Sequence, residues 1–204
     1  MRFVLIAVVA FATTFLPTRA QSVSTDAKQA PTGRYAVEKG HTQVLFSIFH
    51  QGTTNYYGRF DKASGTLNYD APQPEKSAVT ITIDMSSIDT PSSTLNAELA
   101  GASTFDAAKF PTATFTSTSI TRTGPNTGKI AGTLTLKNIT KPVTLDVTFH
   151  GGALNPMNNS YAMGFSASTT IRRTDFGITG MRWEPFVSDD VKLIIEAMFQ
   201  QQKD

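Results

Sequence analysis

Cysteine is absent from the 204-residue sequence, which excludes a disulfide framework, a thiolate nucleophile and a cysteine-ligated metal. Histidine is scarce: the three present are His41, His50 and His150, and none has the H-E-x-x-H spacing of zinc proteases. The G-x-S-x-G elbow of lipases and the glycine-rich phosphate-binding motifs are also missing. We therefore predict no metal site and no catalytic residues, while a serine triad assembled from distant residues stays open.

The longest apolar run lies at the very start of the sequence. Arg2 precedes an apolar stretch over residues 3–16 that only two threonines interrupt, and Thr18 and Ala20 are small residues at the positions that signal peptidase reads. This pattern predicts a signal peptide over residues 1–20. The alternative, a membrane anchor, is disfavoured because a spanning helix needs about 20 apolar residues. We therefore expect a periplasmic protein that does not span the membrane.

The sequence has no excess of positive or negative charge once this leader is removed. The leader carries two arginines and no acidic residue, so its removal lowers the formal net charge from +2 to zero. A neutral chain lacks the basic surface that is typical of nucleic-acid-binding proteins. We expect no nucleic-acid partner.

The remaining sequence is dominated by the period-two alternation of β-strands with one buried face. Residues 21–32 are small and polar and predict a flexible lead-in, and alternation begins at Arg34. It is clearest over residues 79–85, 130–136, 143–149 and 191–199, and further strands are predicted over 43–50, 56–69, 112–123 and 161–173. About eight short strands in sequential order favour a closed antiparallel all-β barrel.

Two segments interrupt the strands. Residues 91–110 lack alternation and predict one or two short helices against a barrel end, the second a single turn with Asp106 as its cap and Pro111 as its stop. Residues 137–142 are predicted to form the turn of a hairpin between two strands.

Several blocks of the sequence resemble, in order, the YceI family of periplasmic polyisoprenoid-binding proteins. The blocks are YAVEKGHTQV at 35–44, FSIFHQG at 46–52, IDMSSIDT at 83–90, GTLTLKNITKPV at 132–143, RTDFGI at 173–178 and SDDV at 188–191. The resemblance covers nearly the whole mature chain and implies a lipocalin-like, extended, eight-stranded antiparallel β-barrel over residues 33–200. It implies an apolar tunnel for a polyprenyl chain, either an isoprenoid-quinone tail or a prenyl phosphate, and no catalysis. Storage or transport of isoprenoids and a part in stress responses are suggested for the family.

Other functions stay open beside this one. A secreted lipid-modifying enzyme would need a nucleophile and a base that no motif supplies, and a redox accessory protein would carry a quinone or haem in the same barrel. No cofactor is expected other than the bound lipid. The oligomeric state, a homodimer included, is left open.

The strand faces nominate side chains for the lipid tail, although period two alone does not tell which face lines the tunnel. The apolar candidates are Phe46, Ile48, Ile81, Ile83, Phe115, Leu134, Leu136, Val147, Phe149 and Phe165. Arg173 and Asp175, two apart on a predicted strand, are candidates for the head group, and a surface ion pair is the alternative interpretation. Family members often carry Arg-Asp-x-His-Leu before the position of Phe105, whereas this chain has Leu-Asn-Ala-Glu-Leu at 95–99. We expect it to recognise the head group differently.

Overall fold

Alternating β-branched and aromatic residues form the strands, as expected from their fit to a pleated, half-buried surface. The computed structural model describes residues 22–203, and the predicted signal peptide lies outside this range. Within these described residues one α-helix, α1, covers Ser93–Ala100. The strands are β1 Gly33–Val37, β2 Gln43–His50, β3 Thr54–Phe60, β4 Ala63–Tyr69, β5 Ala78–Asp84, β6 Ile88–Asp89, β7 Thr112–Arg122, β8 Thr127–Leu136, β9 Ile139–Asn155, β10 Ser160–Arg172 and β11 Val187–Gln201.

The sheet closes through β11. One edge of β11 pairs with β10, while the other pairs with β2 as far as Glu196 and with β1 from Phe199 onward. The consecutive pairs β1–β2, β3–β4 and β5–β6 are bent strands separated by short breaks. When each of these pairs is counted as one strand, the sheet is a closed eight-stranded antiparallel barrel. This confirms the predicted fold class.

The connection between β8 and β9 is shorter than the predicted break over residues 137–142. Only Lys137 and Asn138 form the turn, with φ angles of 51° and 58°. Two consecutive residues with positive φ are the mark of a type I′ hairpin, whose twist matches that of the flanking strands. Pro142 consequently lies within β9, opposite Thr133.

One or two helices were predicted within residues 91–110, and one of them is present, as α1. Ser92 caps its N-terminus by accepting a hydrogen bond from the Leu95 amide, 3.3 Å away. The predicted second turn is not a helix: Asp106 has a φ of 49°, which an N-cap residue does not adopt. Its carbonyl instead accepts from the Phe110 amide at 2.8 Å and closes an isolated turn.

Residues 22–32 pack against one end of the barrel, and the flexibility that their composition suggests stays a prediction. Tyr69 donates a hydrogen bond to the carbonyl of Ala27, and Tyr35 donates to that of Pro31, each at 2.6 Å. The two tyrosine rings meet edge to face with centroids 6.2 Å apart. Ala30 is 2% exposed among them. Tertiary hydrogen bonds thus connect to the barrel a segment whose own sequence carries no strong structural signal.

Candidate functional site

Two apolar cavities lie inside the barrel, one toward each end. The larger, about 580 Å³, lies under α1 and the β10–β11 connection, and we call it the helix-end cavity. Phe46 lines it from β2, and the facing residue on β3 is Gly58, where an added Cβ would overlap the Phe46 ring. Phe46, Phe60 and Phe105 form a row of rings along its wall, with successive centroids 5.8 and 6.0 Å apart.

The smaller cavity, about 230 Å³, lies toward the end that residues 22–32 cover, and we call it the lead-in-end cavity. Phe149, Phe165 and Phe199 pack in series along it, with successive ring centroids 5.2 and 5.9 Å apart. Ala27 of the lead-in also lines it. The lead-in therefore contributes to the wall of this compartment.

The two cavities meet in the middle of the barrel. Three side chains, Ile83, Leu134 and Leu193, line both of them. They come from β5, β8 and β11, strands on different sides of the barrel. A molecule longer than the helix-end cavity would have to pass between these three side chains to use the second compartment.

All ten apolar residues nominated from the sequence face one of these cavities. The helix-end cavity is lined by Phe46, Ile48, Ile83, Leu134 and Leu136. The lead-in-end cavity is lined by Ile81, Ile83, Phe115, Leu134, Val147, Phe149 and Phe165. Their contact with a lipid tail stays a prediction.

The structure separates Arg173 from Asp175. They lie not on a strand but in a 3₁₀ turn, Arg173–Phe176, that follows β10, so they do not share a strand face. Arg173 is 6% exposed and lines the helix-end cavity, where its guanidinium lies 3.0 Å from Glu184 and donates to the Ile178 carbonyl at 2.7 Å. Asp175 is exposed and lies outside the cavity lining. The expectation that the two side chains share a strand face is therefore wrong, whereas contact of either residue with a head group stays a prediction.

Glu98 and Arg182 form a second ion pair at the helix-end cavity. Arg182 Nη2 lies 3.0 Å from Glu98 Oε2 and its Nε lies 3.2 Å from Oε1, so the guanidinium binds both carboxylate oxygens. These hydrogen bonds hold the pKa of the Glu98 carboxyl below its ordinary value. The sequence singled out Glu98 as a departure from the family pattern, whereas its partner sits 84 positions away and carried no signal.

Two polar atoms of the helix-end cavity residues are buried without a partner. Among the described residues, Thr104 Oγ1 and Trp183 Nε1 are the buried side-chain polar atoms that form no hydrogen bond. Trp183 lies close enough to Glu98 to contribute to lowering the pKa of that carboxyl. An unsatisfied buried polar group costs about 1–3 kcal/mol. Neither residue was nominated from the sequence, because turn segments carry no periodic pattern.

The histidines do not assemble a recognisable catalytic or metal site. His150 Nε2 lies 2.6 Å from the Ser166 hydroxyl, which itself donates to Glu196 at 2.6 Å. In a catalytic triad the histidine stands between serine and acid, whereas here the serine stands between the other two. His41 pairs with Glu38 on the surface, and His50 lines the helix-end cavity. Within residues 22–203 no cluster of three metal-ligating side chains occurs.

None of the helices formed by residues 22–203 has the length and apolar character that crossing a membrane requires.

Comparison with known sequences identifies one family. The sequence model of the YceI-like domain matches residues 35–199. A UPF0312 protein of Ectopseudomonas mendocina (strain ymp) is 38% identical over 153 residues, which cover 74% of this chain and 80% of that protein. A UPF0312 protein of Pseudomonas savastanoi pv. phaseolicola is 34% identical over 156 residues, covering 76% and 81% respectively.

Comparison with solved structures gives the same family and fold. Burkholderia cenocepacia BcnA has a TM-score of 0.71 at 26% identity, covering 79% of this chain and 98% of that one. The Campylobacter jejuni YCEI protein has a TM-score of 0.66 at 29% identity, covering 74% and 87%. A polyisoprenoid binding domain from Saccharophagus degradans shares the fold, with a TM-score of 0.63 at 15% identity, covering 82% and 98%.

Proposed function

The chain belongs to the YceI-like family, and on this premise we propose that it binds a long-chain polyisoprenoid lipid inside its barrel, in the periplasm and without chemical turnover. The observation that carries the proposal is the pair of apolar cavities that meet at Ile83, Leu134 and Leu193. An extended hydrocarbon is the ligand shape that can occupy both compartments. The name of the Saccharophagus degradans domain, which states that it binds polyisoprenoids, supports the choice of hydrocarbon.

The energetics favour a ligand whose affinity comes from its tail. Each buried CH₂ contributes about 0.8 kcal/mol, so a five-carbon prenyl unit contributes roughly 3–4 kcal/mol before ordering costs. The helix-end cavity, at about 580 Å³, is within the size range of sites for small organic ligands. A few prenyl units therefore suffice for tight binding, and the polar groups at the helix end decide orientation rather than affinity.

The proposal is tested by what the protein carries. Protein purified from the periplasm should release a polyisoprenoid on solvent extraction, identified by mass spectrometry. Val147→Phe fills the lead-in-end cavity from β9 and should lower the amount of lipid released several-fold.

Thr144→Phe is the matched control, because Thr144 is an exposed residue of the same strand and does not line either cavity. It should leave the lipid content unchanged. A protein that carries no lipid and takes up none from a polyprenol solution would refute the proposal, as would equal lipid loss in both variants.

A further inference from the structure

We propose that the protein docks on a lipid bilayer through an aromatic patch formed by Phe49, Tyr57 and Phe186, which lies beside the opening of the helix-end cavity. The inference rests on the proposed function in one respect, because a polyisoprenoid is dissolved in a membrane and has to pass between that membrane and the barrel. Docking is nevertheless a property of the outer surface, and it can be measured without the cargo.

The helix-end cavity reaches the surface where the residues that line it are exposed. Of its described lining residues, three are exposed: Thr94 in the first turn of α1, and Arg182 and Phe186 in the β10–β11 connection. We call these three residues the mouth. Phe186 is 51% exposed although it also lines the cavity. The mouth is therefore where a molecule in the cavity meets the surroundings of the protein.

The other two aromatic side chains of the patch lie on the outer face of the sheet, since the residue before each of them lines the cavity. Phe49 and Tyr57 are 43% and 51% exposed. The Phe49 amide donates to the Ser188 hydroxyl at 3.1 Å, which places the end of β2 beside the chain that follows Phe186. Phe49 faces Asn55 in the β2–β3 register, two residues before Tyr57. The two rings are therefore diagonal neighbours, at a separation that aromatic side chains can bridge.

The chain segments that carry the patch contain no acidic, lysine or arginine side chains. Residues 45–58 surround Phe49 and Tyr57, residues 185–188 surround Phe186, and neither segment includes one of these four residue types. Arg182, at the mouth, is paired with Glu98. Charged side chains are costly to bring into a bilayer, whereas aromatic side chains are enriched at its interface with water. The composition of both segments therefore suits contact with a bilayer.

A bilayer fits this position better than a second copy of the chain. A copy seated on the patch would obstruct the adjoining mouth, through which the lipid has to pass. A bilayer in the same place would supply the lipid at the mouth. The position of the patch therefore favours a membrane as its partner.

The exposed apolar side chains at the opposite end of the barrel differ in kind and in setting. Val23, Leu154 and Met157 are 61%, 52% and 93% exposed, and none of the three is aromatic. They do not belong to the described lining of either cavity. This end is also the one that Tyr35 and Tyr69 join to the lead-in. It provides a control surface that has exposed apolar side chains but no mouth.

The test measures binding to vesicles separately from uptake of lipid. Delipidated mature protein is sedimented with vesicles of phosphatidylcholine alone and with vesicles that also contain phosphatidylglycerol. It should bind to both, and added salt should not release it, because the contact is apolar rather than ionic. Binding that requires phosphatidylglycerol and disappears at high salt would overturn the proposal, since charged residues would then carry the contact.

Variants assign vesicle binding to the patch. Combining Phe49→Thr with Tyr57→Thr removes two rings that line neither cavity within the described residues, and threonine keeps the β-propensity of the strands. The double variant should bind vesicles at least about tenfold more weakly, while titration with a polyprenol in solution should give the affinity of the parent protein. Met157→Thr is the matched control at the opposite end and should leave vesicle binding unchanged. Circular dichroism checks that each variant is folded.

The outcomes separate this inference from the proposed function. Equal vesicle binding by the parent protein and the double variant would overturn the docking surface. Gel filtration that shows a dimer for the parent protein and a monomer for the double variant, with vesicle binding unchanged, would also overturn it, because the patch would then join two copies. Vesicle binding that is lost in the double variant, together with no polyprenol uptake by any of the proteins, would refute the proposed function and support the docking surface.

Discussion

Tyr35 and Tyr69 close the lead-in end of the barrel with hydroxyl groups that donate to backbone carbonyls, beside three phenylalanine rings in series. The helix end is covered instead by α1 and by turns, with Thr104 and Trp183 buried and unpartnered among the described residues. One end satisfies its polar groups with protein, whereas the other leaves donors unused. We interpret the lead-in end as the more stable half of the barrel and the helix end as the half that opens to admit the ligand.

This division agrees with how proteins distribute stability. Ligand-binding segments are drawn from regions with lower local stability, because they must open, while well-packed strands open only on global unfolding. The helix-end cover is made of an eight-residue helix and short turns, elements whose stability comes from packing rather than from length. The predictions that follow test whether the two ends differ in this way.

The largest effect is expected at the lead-in end. Phe149 is 7% exposed and packs against Phe165, so Phe149→Ala should lower the free energy of unfolding by about 3–5 kcal/mol. Leu95→Ala, at a half-buried position of α1 on the wall of the helix-end cavity, should cost much less because a smaller and half-exposed side chain loses fewer contacts. Urea denaturation of the delipidated variants measures both, and equal losses would contradict the division.

The second largest effect is expected at alkaline pH, which should lower the stability of the lead-in end. Burial raises the pKa of Tyr69 to about 12 and also raises that of Tyr35, compared with about 10 in an unfolded chain. A group whose pKa is raised in the folded state stabilises the fold fully below pH 10 and loses that contribution as the pH rises toward 12. For Tyr69 the loss is roughly 2–3 kcal/mol.

Urea midpoints between about pH 9 and about pH 12 should therefore fall steeply with pH. Tyr69→Phe is the control: it should make this dependence shallower, with the contribution of Tyr35 remaining, while removing one hydrogen bond to Ala27. A dependence that is unchanged in Tyr69→Phe would show that the buried tyrosine does not cause it.

A change at the junction between the two cavities should affect the binding of long lipid tails more than that of short ones. Ile83→Trp adds bulk where both cavities meet, and overfilling a packed site costs about 1–3 kcal/mol. In a ligand tunnel the empty space absorbs part of that bulk, so the stability of the delipidated protein should fall less. Long polyprenols should lose affinity strongly, whereas geraniol, short enough for the helix-end cavity alone, should bind as before. Equal loss for long and short probes would mean that the lead-in-end cavity does not hold the tail.

How far the sequence predicts this molecule depends on the kind of element. The residues that share a strand face were predictable because side chains alternate strictly along a strand, so Ile81 and Ile83 had to lie on the same face, although the alternation did not tell whether that face points inward. The direction of the Arg173 side chain was not predictable, because β10 ends one residue earlier and the following 3₁₀ turn directs successive side chains differently. Thr104 lies in the turns after α1, where no period constrains direction. Sequence alone therefore predicts the apolar tunnel better than its polar end.

The smallest effect on stability is expected from the ion pair of Glu98 and Arg182. The Arg182 side chain is 81% exposed, and exposed ion pairs contribute little because water and salt screen them and because ordering two long side chains costs entropy. Arg182→Gln, Glu98→Gln and the double variant should all melt within about 2 °C of the parent protein. A double-mutant cycle of melting temperatures should accordingly show no resolvable coupling, and adding salt should not change the result. The same pair matters for the ligand, because removing either partner changes the charge that a head group meets.

A melting temperature that falls strongly in both single variants and recovers in the double one would instead show that the pair clamps α1 to the β10–β11 connection. The helix end would then be as firmly closed as the lead-in end, and the contrast between the two halves of the barrel would fail.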